Sequence, residues 1–314
     1  MIIANPIYDV VFKYLLEDMD IARELLSVIL GEDIISLEVK PQERSHEIAE
    51  DTKIKILRFD FKAVIKNDSG ELKNVIMELQ KAKPSFDIIR FRNYLAQNYA
   101  STESVITPDG KTEKWILPII SIYFLGFSLD KVNNAAFKIN REYRDMITGE
   151  VIDKKEDFAE FLTHDCYIIQ LPHLENEKRN KLERVLQVFN QEYKLKDEHF
   201  MFFETDDTDA LVNKMTHRLA RAAANEEMRY QMDFEDEYNR VMQRNLDEKN
   251  KIISLQALEL KAKDQALEAK DQALEAKDQA LEAERKKSEI ERNKVEELLR
   301  RIAELEKQNK QNNG

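Results

Sequence analysis

Apolar positions recur along this chain with two different periods, and the switches between them outline the fold. Residues 7 to 30, IYDVVFKYLLEDMDIARELLSVIL, carry apolar side chains at three- and four-residue spacing, with Asp9 near the start and Gly31 just past the end. An acid beside the free amides of a first turn and a glycine after the last turn predict one or two helices here. ISLEVK at 35 to 40 reads as a short strand. RFDFKAVI at 58 to 65 and NVIMELQ at 74 to 80 read as two more, separated by the turn signal Asn67-Asp68-Ser69-Gly70. SFDIIRFRNYLAQNYAS at 85 to 101 is expected to be helical. KWILPIISIYFLGFSL at 114 to 129 predicts one long or two short buried strands broken near Pro118, and CYIIQLPHL at 166 to 174 another strand. NEKRNKLERVLQVFNQEY and TDALVNKMTHRLARAAANEEMRYQM have helical spacing. Strands and helices that alternate after an initial hairpin predict an α/β fold with a mixed sheet.

The pattern changes near residue 226, which divides the chain into a folded domain at 1–225 and a helical tail at 226–314. AKDQALE occurs three times without error, at 262–268, 269–275 and 276–282. A seven-residue period of strong helix formers without Gly or Pro predicts one long helix or coiled coil. Its seam in the repeats is mostly alanine (Ala266, Ala269, Ala273) with Leu267 and Leu274 beside it. A stronger seam follows at Val295, Leu298, Ile302 and Leu305. Two readings stand: a solvated helical spacer, or a parallel or antiparallel coiled coil that joins copies into a homodimer or higher oligomer.

Composition narrows the function classes. Of 314 residues 35% are charged, the net charge is -12, and one cysteine, Cys166, excludes a disulfide framework and a cysteine-based zinc site. With no basic-then-apolar leader at the amino terminus and no run of about 18 to 20 apolar residues, a soluble, cytoplasmic protein with no membrane partner is expected. The acidic total argues against polyanion binding by the whole surface and leaves room for a local basic groove.

The chemistry concentrates in the hairpin. If its loop spans 68 to 70 with Gly70 left-handed, Asn67 faces Glu71, and counting outward Asp60 faces Glu78. Directly opposed residues share a face with Cβ atoms about 4.5–5.5 Å apart. Gln80, two residues beyond Glu78, falls on the same face. Two carboxylates so close repel, and each resists leaving water. A divalent cation removes that difficulty: Mg²⁺ takes one or two carboxylates and keeps its other positions for water and substrate phosphate. Such a metal can acidify a bound water and neutralise charge developing on a phosphodiester, the two requirements of nucleic-acid cleavage. The alternative is a sheet edge with both acids in water or paired with Lys62 and Lys81.

Asp60 followed, after a hairpin turn, by Glu78-Leu79-Gln80 resembles the D...(D/E)-x-K signature of PD-(D/E)XK nucleases, in the variant with glutamine at the lysine position. NPIYDVVFKYLL, RFDFKAVI, IMELQ and a helix containing RFRNYLAQNY, in that order, are similar to the PD-(D/E)XK family transposases, or recombination-promoting nucleases. The resemblance spans roughly residues 5 to 225 and excludes the tail. It implies a restriction-endonuclease-like α/β/α core and a metal-dependent DNA endonuclease using Mg²⁺, with Mn²⁺ as a substitute. It also implies that Asp60 and Glu78 hold the metal, with the Leu79 carbonyl as a further ligand, and that Gln80 orients the attacking water. Glutamine can do so only by hydrogen bonds, so the general base is unassigned. Asp9 matches an acid of the family's first-helix motif, and reads equally as a third acid near the metal or as a helix-start residue meeting the dipole.

A basic run follows the motif. Lys81, Lys83, Arg90 and Arg92 stand against one acid, Asp87, and Arg90 and Tyr94 share a helix face from which they could meet a phosphate and a sugar or base. A solvated basic face is the alternative. His164, Asp165 and Cys166 adjoin, but neighbours cannot converge on one reacting atom. The acids of ETDDTDA lack a calcium loop's glycine and are expected to cap the next helix. Without a GxxxxGK[ST] loop no nucleotide cofactor is expected. The rival to a DNA endonuclease is a decayed nuclease core that acts as a DNA-binding or protein-interaction module organised by its coiled coil.

Overall fold

The computed structural model describes residues 1–40, 45–46, 56–57, 61–81, 87–107, 109–204 and 208–312; within α3 the side chains at 87, 89, 90 and 94 lie outside that description. The elements run β1 (Ile2–Ala4), α1 (Asp9–Leu16), α2 (Met19–Leu30), β2 (Ile34–Lys40), β3 (Ser45–His46), β4 (Ile56–Leu57), β5 (Phe61–Asn67), β6 (Leu72–Gln80), α3 (Asp87–Tyr99), β7 (Glu103–Ile106), β8 (Thr112–Trp115) and β9 (Ile119–Leu125). They continue as β10 (Ala136–Ile139), β11 (Tyr143–Arg144), β12 (Val151–Ile152), α4 (Asp157–Leu162), β13 (His164–Gln170), α5 (Lys181–Leu186), β14 (Phe200–Phe202), α6 (Ala210–Ala223) and α7 (Glu226–Asn312). The chain divides into two compact units, 1–240 and 241–314.

The apolar stretch at 7 to 30 makes two helices because Asp18 interrupts it. Its carboxylate accepts from the amides of Asp20 and Ile21 and starts α2, which ends on Gly31 at φ 72°. A six-stranded mixed sheet has the order β10-β13-β9-β6-β5-β2. β2, β5 and β6 are antiparallel neighbours, whereas β6, β9 and β13 run parallel. The segment from β6 to β9 contains α3, as a parallel connection requires.

One sheet face carries Ala63, Ile65, Val75, Met77, Leu79, Ile120, Ile122 and Phe124, which join the buried side chains of α1, α2 and α6 in the main core. On the other face, Tyr123 of β9 meets the Phe91 ring of α3 with centroids 5.1 Å apart, and His164 of β13 meets Tyr99. The first turns of α7 belong to the same unit: Asn225 accepts from the amides of Glu227 and Met228 and starts the helix, and Met232 is completely buried. In the second unit, α7 continues from 241 to 312, and every described side chain beyond Leu246 is exposed. No helix among the described residues is long and apolar enough to cross a membrane.

Two expectations need correction. The run at 114 to 129 yields one buried strand, β9; its first two residues close β8, where Trp115 and the following Ile116 are exposed, because β8, among the described residues, pairs with β7 and not with the central sheet. The helix expected over 176 to 193 is α-helical only for Lys181–Leu186 and then tightens into 3₁₀ turns. Asn190 ends the first of these turns and caps the next through its side chain. The expected capping of the following helix is found: Asp209 accepts from the amides of Leu211 and Val212, while 205–207 lie outside the described residues.

Candidate functional site

The hairpin closes as its turn residues require. Asn67 N–H donates to the Glu71 carbonyl at 3.1 Å, Gly70 N–H donates to the Asn67 carbonyl at 3.0 Å, and Gly70 sits at φ 86°. The Asn67 side-chain oxygen accepts from Glu71 N–H and from the Ser69 hydroxyl, both at 2.8 Å. This loop sets the register from Lys66 opposite Leu72 out to Phe61 opposite Met77. It is the register expected from the turn; Asp60 itself lies outside the described residues.

Strand alternation places Asn74, Ile76, Glu78 and Gln80 on the face that α3 covers, opposite the core side chains Val75, Met77 and Leu79. Glu78 is 4% exposed and Gln80 5%, and Tyr123 of β9 lies beside Glu78. The Gln80 carbonyl accepts from Gly126 N–H at 2.7 Å on the β9 side. Successive carbonyls of a strand point to opposite sides, so the Leu79 carbonyl is directed to the side of β5.

Lys62 and Lys81 each have an acid partner among the described residues. Lys62, opposite Ile76 and 6% exposed, donates to Glu103 Oε1 at 2.5 Å, and Asn74 Nδ2 donates to the same oxygen at 3.1 Å. Burial raises the Glu103 pKa, but the Lys62 and Asn74 hydrogen bonds and the lysine charge outweigh it, leaving the carboxyl below its usual range. No local signal marks Glu103 in the sequence; a buried lysine only says that some counter-charge exists.

Lys81 Nζ reaches Asp236 Oδ1 at 2.6 Å and lies 3.4 Å above the centroid of the Tyr8 ring. The other Asp236 oxygen accepts from the Tyr8 hydroxyl at 2.9 Å and lies 3.1 Å from His199 Nε2. Burial raises the Asp236 pKa, and the Lys81 contact and the remaining hydrogen bonds reverse this, so it titrates below the ordinary range. Next to it, Glu235 accepts from the backbone N–H of Asp9 at 3.0 Å, at the first turn of α1. Burial first and the nearby Asp9 charge second push Glu235 up to about 8. Asp9 is thus the first residue of α1 and the neighbour of a second carboxylate. His199, Glu235 and Asp236 were not singled out from the sequence, since they come from distant segments and sit in no motif; Tyr8 lies within NPIYDVVFKYLL but was given no role of its own.

Of the basic run, Arg92 is exposed on α3; Lys83 and the side chains of Arg90 and Tyr94 lie outside the described residues. His164, Asp165 and Cys166 open β13, and they diverge. His164 Nδ1 is 2.7 Å from the Tyr99 hydroxyl, Asp165 binds Arg141 at 2.9 Å, and burial raises the Cys166 thiol pKa.

The donors described on β6 are hard oxygens, a buried carboxylate from Glu78 and a carbonyl from Leu79, which fit Mg²⁺ or Mn²⁺ rather than a thiolate-seeking metal. Among the described residues no group of three or more His, Cys, Asp or Glu side chains could hold a metal ion, and Asp60, the expected partner of Glu78, lies outside them. No family model matches the chain, and no curated protein or solved structure is significantly similar to it.

Proposed function

We propose that this protein is a Mg²⁺-dependent DNA endonuclease of the PD-(D/E)XK transposase type, with a restriction-endonuclease-like core, acting in the cytoplasm in recombination or mobile-element activity. The observation that carries the reading is the hairpin register. It runs without a bulge from the Gly70 turn to Phe61 and Met77, with Glu78 and Gln80 buried on one face of a central strand. A carboxylate kept from water in mid-sheet has a reason to be there if it holds a cation.

In this reading Asp60 and Glu78 bind the metal, and the Leu79 carbonyl offers a third oxygen. The cation, when bound, supplies stabilisation of charge developing on the phosphodiester and a more acidic water. Gln80 orients that water through its side-chain amide. Asp9 belongs to the surroundings of the site as a helix-start acid beside Glu235. Lys81, held by Asp236, and Lys83, Arg90, Arg92 and Tyr94 are the candidates for contact with the DNA backbone. The tail joins copies, so that two sites could act on two strands.

A plasmid-nicking assay with Mg²⁺ tests the reading. Wild type should nick, and Asp60→Ala and Glu78→Ala should each lower the rate by at least about 100-fold, equivalent to about 2.7 kcal/mol. Undiminished nicking by both variants rejects the site. A wild type that binds DNA without nicking it favours the decayed-nuclease alternative, which Gln80 at the lysine position and the net charge of -12 keep in view.

A further inference from the structure

The second unit is a single helix whose apolar stripe beyond Leu246 is exposed, and the order of its charges says what covers it. Every seventh residue is apolar from Leu246 through Ile253, Leu260, Leu267, Leu274 and Leu281 to Val295 and Ile302, with Ser288 the one exception. The AKDQALE copies preserve that frame because each is one heptad long. A lone helix of this kind gains nothing from its leucines, whereas a second helix lets each insert between partner side chains.

In the frame that the stronger seam at Val295, Leu298, Ile302 and Leu305 sets, one residue away from the alanine frame of the repeats, the companion core position three residues after each of these changes character along the helix. It is Lys249 and Gln256 first, Lys263, Lys270 and Lys277 in the repeats, then Glu284 and Glu291, then Leu298 and Leu305. In a parallel, in-register pair every one of these layers meets its own copy. Four lysine layers, at Lys249, Lys263, Lys270 and Lys277, and two glutamate layers would repel inside the seam, a cost that no flanking pair offsets.

Reversing one copy removes every like-charged layer. With Leu260 opposite Leu298 of the second copy, Ile253 faces Leu305, Leu267 faces Glu291, Leu274 faces Glu284 and Leu281 faces Lys277. The flanking charges then match as well. Asp264 falls beside Arg292, Asp271 beside Arg285 and Glu259 beside Arg301, because the repeat segment is acid-rich and the stretch from Arg285 to Arg301 is base-rich. Near the two-fold axis Asp278 meets its own copy, as does the uncharged Ala280. We infer that the occupant of the exposed seam is the tail of a second copy of this chain, running antiparallel, with the repeat segment of each copy against the basic stretch of the other. This rests on the self-association of the tail and not on the nuclease chemistry.

Full-length protein carrying Cys166→Ser and one nitroxide-labelled cysteine, at Lys261→Cys or at Gln279→Cys, tests it by pulsed electron–electron distance measurement. Both positions face outward in this frame. In the antiparallel pair the two labels at 261 are separated by about 36 residues along the axis, or about 54 Å, whereas those at 279 are about 20 Å apart across the pair. One long and one short distance supports the inference. Two short distances establish a parallel pair and overturn the orientation. Monomeric sedimentation at micromolar concentration overturns self-association itself, and neither result bears on whether Glu78 holds a metal.

Discussion

Lys62 and Glu103 show how a charge is kept on a buried strand: each is the other's counter-ion, and Asn74 holds the pair in place. Removing one partner should cost far more than removing both, because a lone buried charge must be desolvated without return. Lys62→Met is expected to destabilise the protein by about 3–5 kcal/mol in urea denaturation, while the double change Lys62→Met with Glu103→Leu should recover most of that loss. The pair also carries a pH signature. The folded-state pKa of Glu103 lies below its unfolded value, so the stability it contributes is present above the unfolded carboxylate range and is lost as pH falls through the folded value. Acid titration of stability from pH 7 downward should therefore fall less steeply in the double variant than in wild type. The pairing was not legible beforehand. The sequence shows that Lys62 shares a face with Glu78, but Glu103 arrives from beyond α3, and no local pattern announces a contact made across that distance.

Where elements meet, the same holds for backbone. The ends of β6 and β9 approach so closely at Gly126 that a Cβ there would lie 2.5 Å from the Lys81 carbonyl oxygen and 2.9 Å from Ile7 Cδ1. Gly126→Ala must push β6 and the entry to α1 apart, and is expected to lower stability by about 1–3 kcal/mol, read as a lower melting temperature. Gly31→Ala meets nothing within 4 Å and should cost only the strain of its φ of 72°. Elements whose ends carry side-chain chemistry were legible in part: Gly31 ends α2, Asp209 starts α6, and the Gly70 turn sets the hairpin register, whereas the Asp18 cap that divides α1 from α2 was not singled out. The exposed β8 and the shortened α5 were not. Their apolar residues have the right spacing, but whether a strand joins the sheet or a helix continues depends on what is available to pack against it.

For the chain as a whole, the two units invite separation. Deleting residues 250–314 removes most of the seam while leaving the turns of α7 that carry Met232 and Asp236, so the shortened chain should stay folded and sediment as a monomer where the full chain, on the tail pairing proposed above, sediments as a dimer. A shortened chain that remains dimeric would place the interface elsewhere. From the sequence alone came what depends on neighbours within a few residues: helix caps, the turn, strand alternation, and hence Glu78 and Gln80 on one face, together with the heptad frame of the tail. Only the tertiary structure decided the strand order, the covering of the Glu78 face by α3, the bond from Lys62 to Glu103, and the convergence of Tyr8, Lys81 and His199 on Asp236. The physical reason is one of range. Local backbone preferences and side-chain periodicity are written within a few residues, whereas the partner of a buried charge is chosen by packing among segments that the sequence leaves far apart.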